Sequence, residues 1–376
     1  MQKEDKPLNI IYLGSYSNSE ILIGPEKVAK RIFDNLSITN NCTFIEYFFD
    51  GKKYSYYKKF FGKEIISDYK NKILKLGIFR ILFALFKIKP DILHIITFER
   101  FAAIAFLYKL LFNVKFIFNI HGVVKYENKY IRGVKGFENI KDKICEYFFM
   151  NFSDILLFLS EDSVSIAKKY YKINDKKVRL ISNGIDEIFY NVGLKRQFNN
   201  NKALSIVFIA DAERKDKGFD FLKMTLEQVN FELNLFIVSG KADNNIIFDN
   251  TKIKFNILNL MSPEKLSSFL IDKDIFISAS NFDSFGISSI EAIATGIVPI
   301  LTLETGASRF IKNGENGFIV KYGDVNKLLE ILKYIKMNPQ IKEIIYKNND
   351  SMYDTLSWNK ISEMYKNIYQ MVNIRN

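Results

Sequence analysis

Two acids, Asp283 and Glu291, flank a turn in the run Ser280-Asn-Phe-Asp283-Ser284-Phe285-Gly286-Ile287-Ser288-Ser289-Ile-Glu291-Ala292. Before them, Ile275-Phe-Ile-Ser-Ala279 is a short apolar stretch that reads as a buried strand; after them, Ile290, Ile293 and Ala294 read as a helix. In an open α/β sheet such a junction lies at the carboxyl end of a strand, where ligands bind. The helix start offers backbone N–H groups and a positive dipole end. Acids there accept hydrogen bonds from sugar or ribose hydroxyls, and Gly286 lets the main chain come close to a ligand. A strand, a turn and a capped helix with no ligand is the plainer reading of the same residues.

Other residues could join such chemistry. Ser205–Ile209 reads as a strand running into Ala210-Asp-Ala212-Glu-Arg214-Lys215-Asp-Lys217-Gly218, and cations at a strand end can neutralise a diphosphate leaving group. The chain has two histidines. His94 falls inside a strand expected to be buried, whereas His121 ends the strand Phe116–Ile120, beside Gly122, and is the better candidate for a site. Gly24, followed by Pro25 at a helix start, is a candidate anion contact. Two histidines cannot furnish a three-ligand catalytic zinc without carboxylate help, so no metal is expected. No Gly-x-Gly-x-x-Gly follows the first strand, which leaves a nicotinamide enzyme weakly supported.

These residues resemble the retaining glycosyltransferases of family 4. That family carries Glu, seven residues, Glu in the setting Pro-Ser-x-x-Glu-x-Phe-Gly, and here Asp283 and Glu291 take the two positions around Phe285-Gly286. Similar, too, are Pro90-Asp-x-x-His94 followed by His121-Gly122, the single Gly24 where the family has Gly-Gly, Lys217-Gly218, the turn Asn183-Gly184-Ile-Asp186, and Thr305-Gly306 through Gly314-Glu-Asn-Gly317. Three positions depart: Asp283 for Glu, Ala212 where an Arg is usual, and Arg309 where a Glu is usual. The resemblance implies a GT-B fold, with two Rossmann-like doubly wound α/β domains facing across a cleft and a C-terminal helix crossing back to the first. It further implies that Glu291 binds the ribose of a UDP- or GDP-linked sugar. Lys217, with possible help from Arg214, would hold the diphosphate. Asp283, His121 and main chain from Ser284 to Ile287 would hold the sugar. No cofactor is expected.

The elements that must position these residues alternate strand and helix, as in a parallel sheet covered on both faces. We expect strands at Asn9–Leu13, Thr43–Phe48, Asp91–Ile96, Lys115–Ile120, Ile155–Ser160 and Val178–Ile181, and again at Leu204–Ala210, Leu233–Ser239, Ile253–Ile257, Ile275–Ala279 and Val298–Leu301. One helical segment is expected over Asn326–Asn349 and another over Trp358–Val372. The polar stretch Arg196–Lys202 lies near the expected boundary, giving domains 1–183 and 184–355 and a returning helix 356–376. A length of 376 residues with 48% hydrophobic content suits two cores. The opening residues lack a secretory pattern and no stretch reaches the length of a membrane-spanning helix, so a cytoplasmic protein is expected. Cys42 and Cys145 form no metal or redox motif.

The net charge of +12 is concentrated: residues 52–89 hold eleven Lys or Arg, two acids and nine aromatic residues. Between Lys70 and Lys89, Ile73, Leu74, Leu76, Phe79, Leu82, Phe83 and Phe86 leave a broad apolar face. Three readings stay open: a helix packed on its own domain, nucleic-acid contact, or an anionic membrane with aromatic side chains at headgroup level. No nucleic-acid motif is present, and none is expected as a partner. The combined expectation is a glycosyltransferase peripheral on the inner face of the cell membrane, moving a hexose-like sugar to a glycan or polyprenyl-linked acceptor in polysaccharide synthesis. A catalytically degenerate nucleotide- or glycan-binding protein on the same fold is the alternative.

Overall fold

The computed structural model describes residues 7–17, 19–21, 24–48, 56–67, 72–198, 203–241, 246–349 and 351–374. The chain divides into two compact units, Met1–Ser182 with Trp358–Asn376, and Asn183–Ser357.

In the first unit, eight strands among the described residues form one sheet in the order β3-β4-β2-β1-β5-β6-β7-β8. They are β1 (Asn9–Leu13), β2 (Asn41–Tyr47), β3 (Lys63–Ser67), β4 (Lys72–Leu76), β5 (Ile92–Ile95), β6 (Lys115–Ile120), β7 (Ile155–Phe158) and β8 (Val178–Leu180). All pairings are parallel except that of β3 with β4. Residues Ile10 to Leu13 of β1 are fully buried, as a central parallel strand covered on both faces requires. The helices are α1 (Gly24–Leu36), α2 (Tyr56–Phe61), α3 (Ile78–Ile88), α4 (Ala105–Leu111), α5 (Val124–Tyr130), α6 (Gly136–Phe152) and α7 (Glu161–Tyr170). Residues of α3, α4 and α6 share one core cluster with Ile11, Leu13, Leu93 and Phe116. From the same strand β1, Tyr12 points the other way, against Phe33 of α1.

The second unit has an all-parallel sheet in the order β11-β10-β9-β12-β13-β14. Its strands are β9 (Leu204–Ile209), β10 (Leu233–Ser239), β11 (Ile253–Asn259), β12 (Ile275–Ser278), β13 (Val298–Thr302) and β14 (Phe318–Val320). Its helices are α8 (Glu187–Gly193), α9 (Phe219–Leu226), α10 (Pro263–Leu270), α11 (Ile287–Ala294), α12 (Val325–Met337), α13 (Ile341–Asn349) and α14 (Met352–Leu356). Each sheet grows first to one side and then to the other. The order therefore reverses between β1 and β5 in the first unit and between β9 and β12 in the second, and such switch points are where ligands bind.

The last helix, α15 (Trp358–Ile374), packs on the first unit beside α1. Its attachment is polar as well as apolar. The Tyr369 hydroxyl lies 2.6 Å from His94 Nδ1 and 3.2 Å from the Tyr12 hydroxyl, His94 Nε2 lies 3.1 Å from Asn119 Oδ1, and Asn119 Nδ2 donates to the Tyr365 hydroxyl at 2.7 Å. One proton arrangement fits all four contacts. Tyr12 donates to Tyr369, Tyr369 to Nδ1, and Nε2–H to Asn119. His94 is thus a core residue tying β5 to α15, in line with its mid-strand position.

Two expectations change. The stretch from Lys70 to Lys89 is not one apolar face but strand β4 followed by helix α3, and 68–71 lie outside the described residues, as do 52–55. Gly77 makes the turn between β4 and α3; a Cβ there would sit 2.6 Å from the carbonyl carbon of Phe60, so only glycine fits. The expected helix Asn326–Asn349 is two helices, broken at Asn338-Pro339, because proline offers no amide and disfavours helical backbone at the residue before it.

Burial lowers the His94 pKa to about 3, partly opposed by the hydrogen bond that Nε2–H donates to Asn119. The unfolded imidazole titrates near 6.5, so below that pH the unfolded state binds the extra proton. The stability His94 contributes is full above about pH 6.5 and is lost as pH falls toward 3. We predict that urea midpoints fall through this window and that His94→Gln flattens the fall. At neutral pH, Tyr369→Phe should destabilise by about 1–3 kcal/mol, because it strands a buried nitrogen and the Tyr12 hydroxyl.

Candidate functional site

The switch point of the second unit brings the loop after β9 against the loop after β12. Gly218 holds the first in place, with φ +68°, and a Cβ there would lie 1.9 Å from the Ala279 carbonyl oxygen. The Asn281 amide donates to the Asp216 carbonyl at 2.9 Å, closing the same contact. The outcome is an ion pair: Lys217 Nζ lies 2.7 Å from Asp283 Oδ2, with each side chain about a fifth exposed (19% and 20%). Asp283 Oδ1 also accepts from the Phe285 amide at 3.1 Å, and the Gly286 amide bonds to the same carboxylate. Burial on its own would raise the Asp283 pKa, but Lys217 and the two amides outweigh it and hold the group below its ordinary value. A second strip of chain fixes Asp283 from behind. Its amide donates to the Glu304 carbonyl at 3.0 Å and its carbonyl accepts from Gly306 at 2.8 Å.

The arrangement leaves an ammonium with two of its three hydrogens unused by Asp283, at the mouth of a parallel sheet. Beside it begins α11, capped by Gly286 in the left-handed region at φ +81°. The first-turn amides of Ile287 and Ser288 have no carbonyl four residues back in the helix to bond. An ammonium and a helix start together suit a diphosphate.

The other expected residues fall as follows. Glu291 is only 5% exposed, on the inward side of α11, and already engaged with a neighbour. Most of the residue is enclosed, because α11 packs Ser289, Ile290, Glu291, Ala292 and Ile293 inward together. The Phe285 ring is buried, and its amide, expected on a sugar hydroxyl, is spent on Asp283. Ser284 and Ile287 are half-buried beside it. Arg214, expected to help where an Arg is missing at Ala212, forks its guanidinium onto both oxygens of Asp216, at 3.1 and 2.5 Å. Arg309, the other departure, lies over the Phe285 and Phe310 rings at 5.4 and 4.7 Å.

In the first unit, His121 is half-buried at the end of β6, and its Nε2 donates to the Ile96 carbonyl at 2.8 Å. Burial, partly offset by that bond, lowers its pKa to about 4. At neutral pH it is an uncharged ring whose Nδ1 can accept from a hydroxyl. Gly24 opens α1 with φ +50° and open space around it; the two residues before it lie outside the described residues. Sequence reasoning missed a pair at the switch point of this sheet: Ser15 Oγ donates to Glu99 Oε1 at 2.6 Å, and burial raises the Glu99 pKa. The signal was present, since Ser15 and Glu99 follow the ends of β1 and β5, the strands that flank the reversal. Among the described residues no group of three or more His, Cys, Asp or Glu could hold a metal ion.

Two doubly wound parallel units with this topology are the architecture of GT-B glycosyltransferases. The sequence profile of Glycosyltransferase Family 4 matches residues 45–188, and that of Glycosyl transferases group 1 matches residues 194–352. The chain belongs to these family 4 glycosyltransferases. It is 23% identical over 230 residues to N-acetyl-alpha-D-glucosaminyl L-malate synthase of Bacillus anthracis, covering 58% of this chain and 59% of that one. To the capsular polysaccharide biosynthesis glycosyltransferase CapM of Staphylococcus aureus it is 24% identical over 205 residues, 51% of this chain and 52% of the relative. The chain thus spans between half and two thirds of the length of these relatives. Anabaena HepE in complex with UDP-glucose shares the fold, with a TM-score of 0.70 at 14% identity, over 97% of this chain and all of the other.

Two substitutions test the geometry. Gly218→Ala meets both the positive φ and the Ala279 carbonyl, and should destabilise by about 2 kcal/mol or more in urea unfolding. Lys217→Met removes the main counter-charge from a carboxylate that burial pushes upward. The Asp283 pKa should then rise, so that the acid limb of stability, present above the unfolded carboxylate pKa in the parent, moves to higher pH.

Proposed function

We propose that the protein moves a hexose-like sugar from a UDP- or GDP-linked donor to a glycan or polyprenyl-linked acceptor, with retention and without a metal, in bacterial cell-surface polysaccharide synthesis. The observation that carries this reading is the Lys217–Asp283 pair at the switch point of the second unit, beside the start of α11. Family membership and the relatives' printed activities support it.

Each residue has a part. As the bond from the anomeric carbon to the diphosphate oxygen breaks, its electron pair leaves with the nucleoside diphosphate. Lys217 and the first amides of α11 offset that charge where it develops. The acceptor oxygen bonds to the anomeric carbon from the same side, and its proton passes to the departing diphosphate. Asp283, kept ionised, holds Lys217 in place and receives sugar hydroxyls; neutral His121 accepts from another through Nδ1. Main chain from Ser284 to Ile287 borders the sugar, Glu291 takes the ribose at its exposed edge, and Gly24 lies toward the diphosphate. Arg214 contributes through Asp216, as a brace for the loop that carries Lys217. The basic aromatic segment 52–89 meets an anionic membrane surface, placing the enzyme peripherally on the cytoplasmic side. A second reading, a binding protein without turnover, draws on Asp283, Ala212 and Arg309.

A thermal-shift series with UDP, GDP, ADP and their sugars tests the proposal. One nucleoside diphosphate family should raise Tm. Lys217→Met should weaken that ligand about tenfold or more, and Glu291→Ala, which removes the ribose contact, should abolish the shift for the nucleoside diphosphate and for its sugar alike. Release of nucleoside diphosphate in the presence of an acceptor distinguishes the enzyme from the binding protein. No shift with any nucleotide would overturn the transferase reading and a nucleotide-binding role alike.

A further inference from the structure

The first unit carries an apolar outer surface that the basic segment 52–89 only begins. Helix α3 buries Ile81 and Leu85 on its inward side, yet exposes Phe79, Phe83 and Phe86, which recur at helical spacing on the opposite side. Helix α4 ends in Leu110, Leu111 and Phe112, with the two leucines 78% and 70% exposed. Helix α6 buries Phe149 and Met150 but leaves Ile144, Tyr147, Phe148 and Phe152 outside. A helix apolar on both sides is ordinarily enclosed by protein or lipid.

Ring contacts join these stripes into one surface. Phe61 of α2 stacks on Phe79 at 5.2 Å, Phe86 meets Phe112 at 5.5 Å, and Phe106 of α4 meets Phe148 and Phe152 at 6.3 and 5.9 Å. With roughly 200 Å² per large side chain, about ten of them half exposed present on the order of 1,000 Å², above the largest patch of an ordinary monomer.

Charge decides the occupant. Helices α2, α3 and α4 contain no Asp or Glu, while Lys58, Lys59, Arg80 and Lys87 lie on them and Lys89 caps α3. On α6, Asp142 and Glu146 are buried, and Glu138 is paired with Arg100 and Lys141. A second copy would set cation against cation. An anionic bilayer instead offers acyl chains to the apolar side chains and phosphates to the surrounding lysines. No helix among the described residues is long and apolar enough to cross a membrane, so the contact lies in the interface.

We propose that α3, α4 and α6 together form the membrane-docking face of the first unit, with Leu110 and Leu111 inserted among the lipids. This deepens the membrane contact named above and does not depend on which sugar is moved. The test is flotation of the full chain with vesicles of phosphatidylcholine, alone and mixed with phosphatidylglycerol. Binding should require the anionic lipid and weaken with salt. Leu110→Glu combined with Leu111→Glu, at exposed positions well outside 52–89, should cut binding about tenfold or more with Tm unchanged. Equal binding by parent and variant would overturn the proposal. So would no binding at low salt, or a dimer in sedimentation equilibrium that the variant dissolves while neither form binds vesicles. The nucleotide thermal shift, measured on the same samples, reports on the transferase reading separately.

Discussion

A single ion pair organises the second unit's candidate site. Burying a carboxylate without compensation is expensive, and Asp283 is compensated three times over, by Lys217 and by two amides of its own turn. Those requirements fix the backbone in turn. The turn must bring Phe285 and Gly286 back toward Asp283, which demands the positive φ at Gly286, and the β9 loop must lie close enough for Lys217 to reach, which demands Gly218. The strip from Glu304 to Gly306 then has a surface to bind. The local sequence is therefore coherent: each glycine serves the approach of a charged side chain or a neighbouring chain.

Much of the architecture was legible because buried parallel strands leave an unmistakable trace. Strands form at Lys115–Ile120 and Leu233–Ser239, the bounds expected from the apolar residues that dominate both stretches. Strand β4 was not legible: Lys72-Ile-Leu-Lys-Leu76 fits helix and strand spacing equally well, and only pairing with β2 and β3 decides it. The site was legible in residue type and less so in environment. Lys217 and Asp283 were singled out by their place at strand ends together with the family resemblance, but nothing in the sequence could say that they bond to one another. Nor could it say that Glu291 turns inward or that Arg214 folds back on Asp216. Those outcomes depend on side-chain direction, which one chain's pattern does not encode.

The two histidines show the same division. His94 and His121 both follow apolar strand residues and both are kept neutral by burial. One has both ring nitrogens committed to the interior, while the other commits only Nε2, to a carbonyl, because β6 ends one residue before it. A single position relative to the strand's end separates a structural imidazole from one with a nitrogen to offer.

The partners of His94 and Asn119 are supplied by Tyr369 and Tyr365, some 250 residues and more further along the chain. Synthesis proceeds from the N-terminus, so the residues from 183 to 357 leave the ribosome before those tyrosines do. The unit Asn183–Ser357 can complete itself while the first unit still waits with polar groups unmatched in its core. A ribosome stalled, or a message truncated, shortly before codon 365 would therefore yield a chain with one finished half and one half left open to chaperones and proteases.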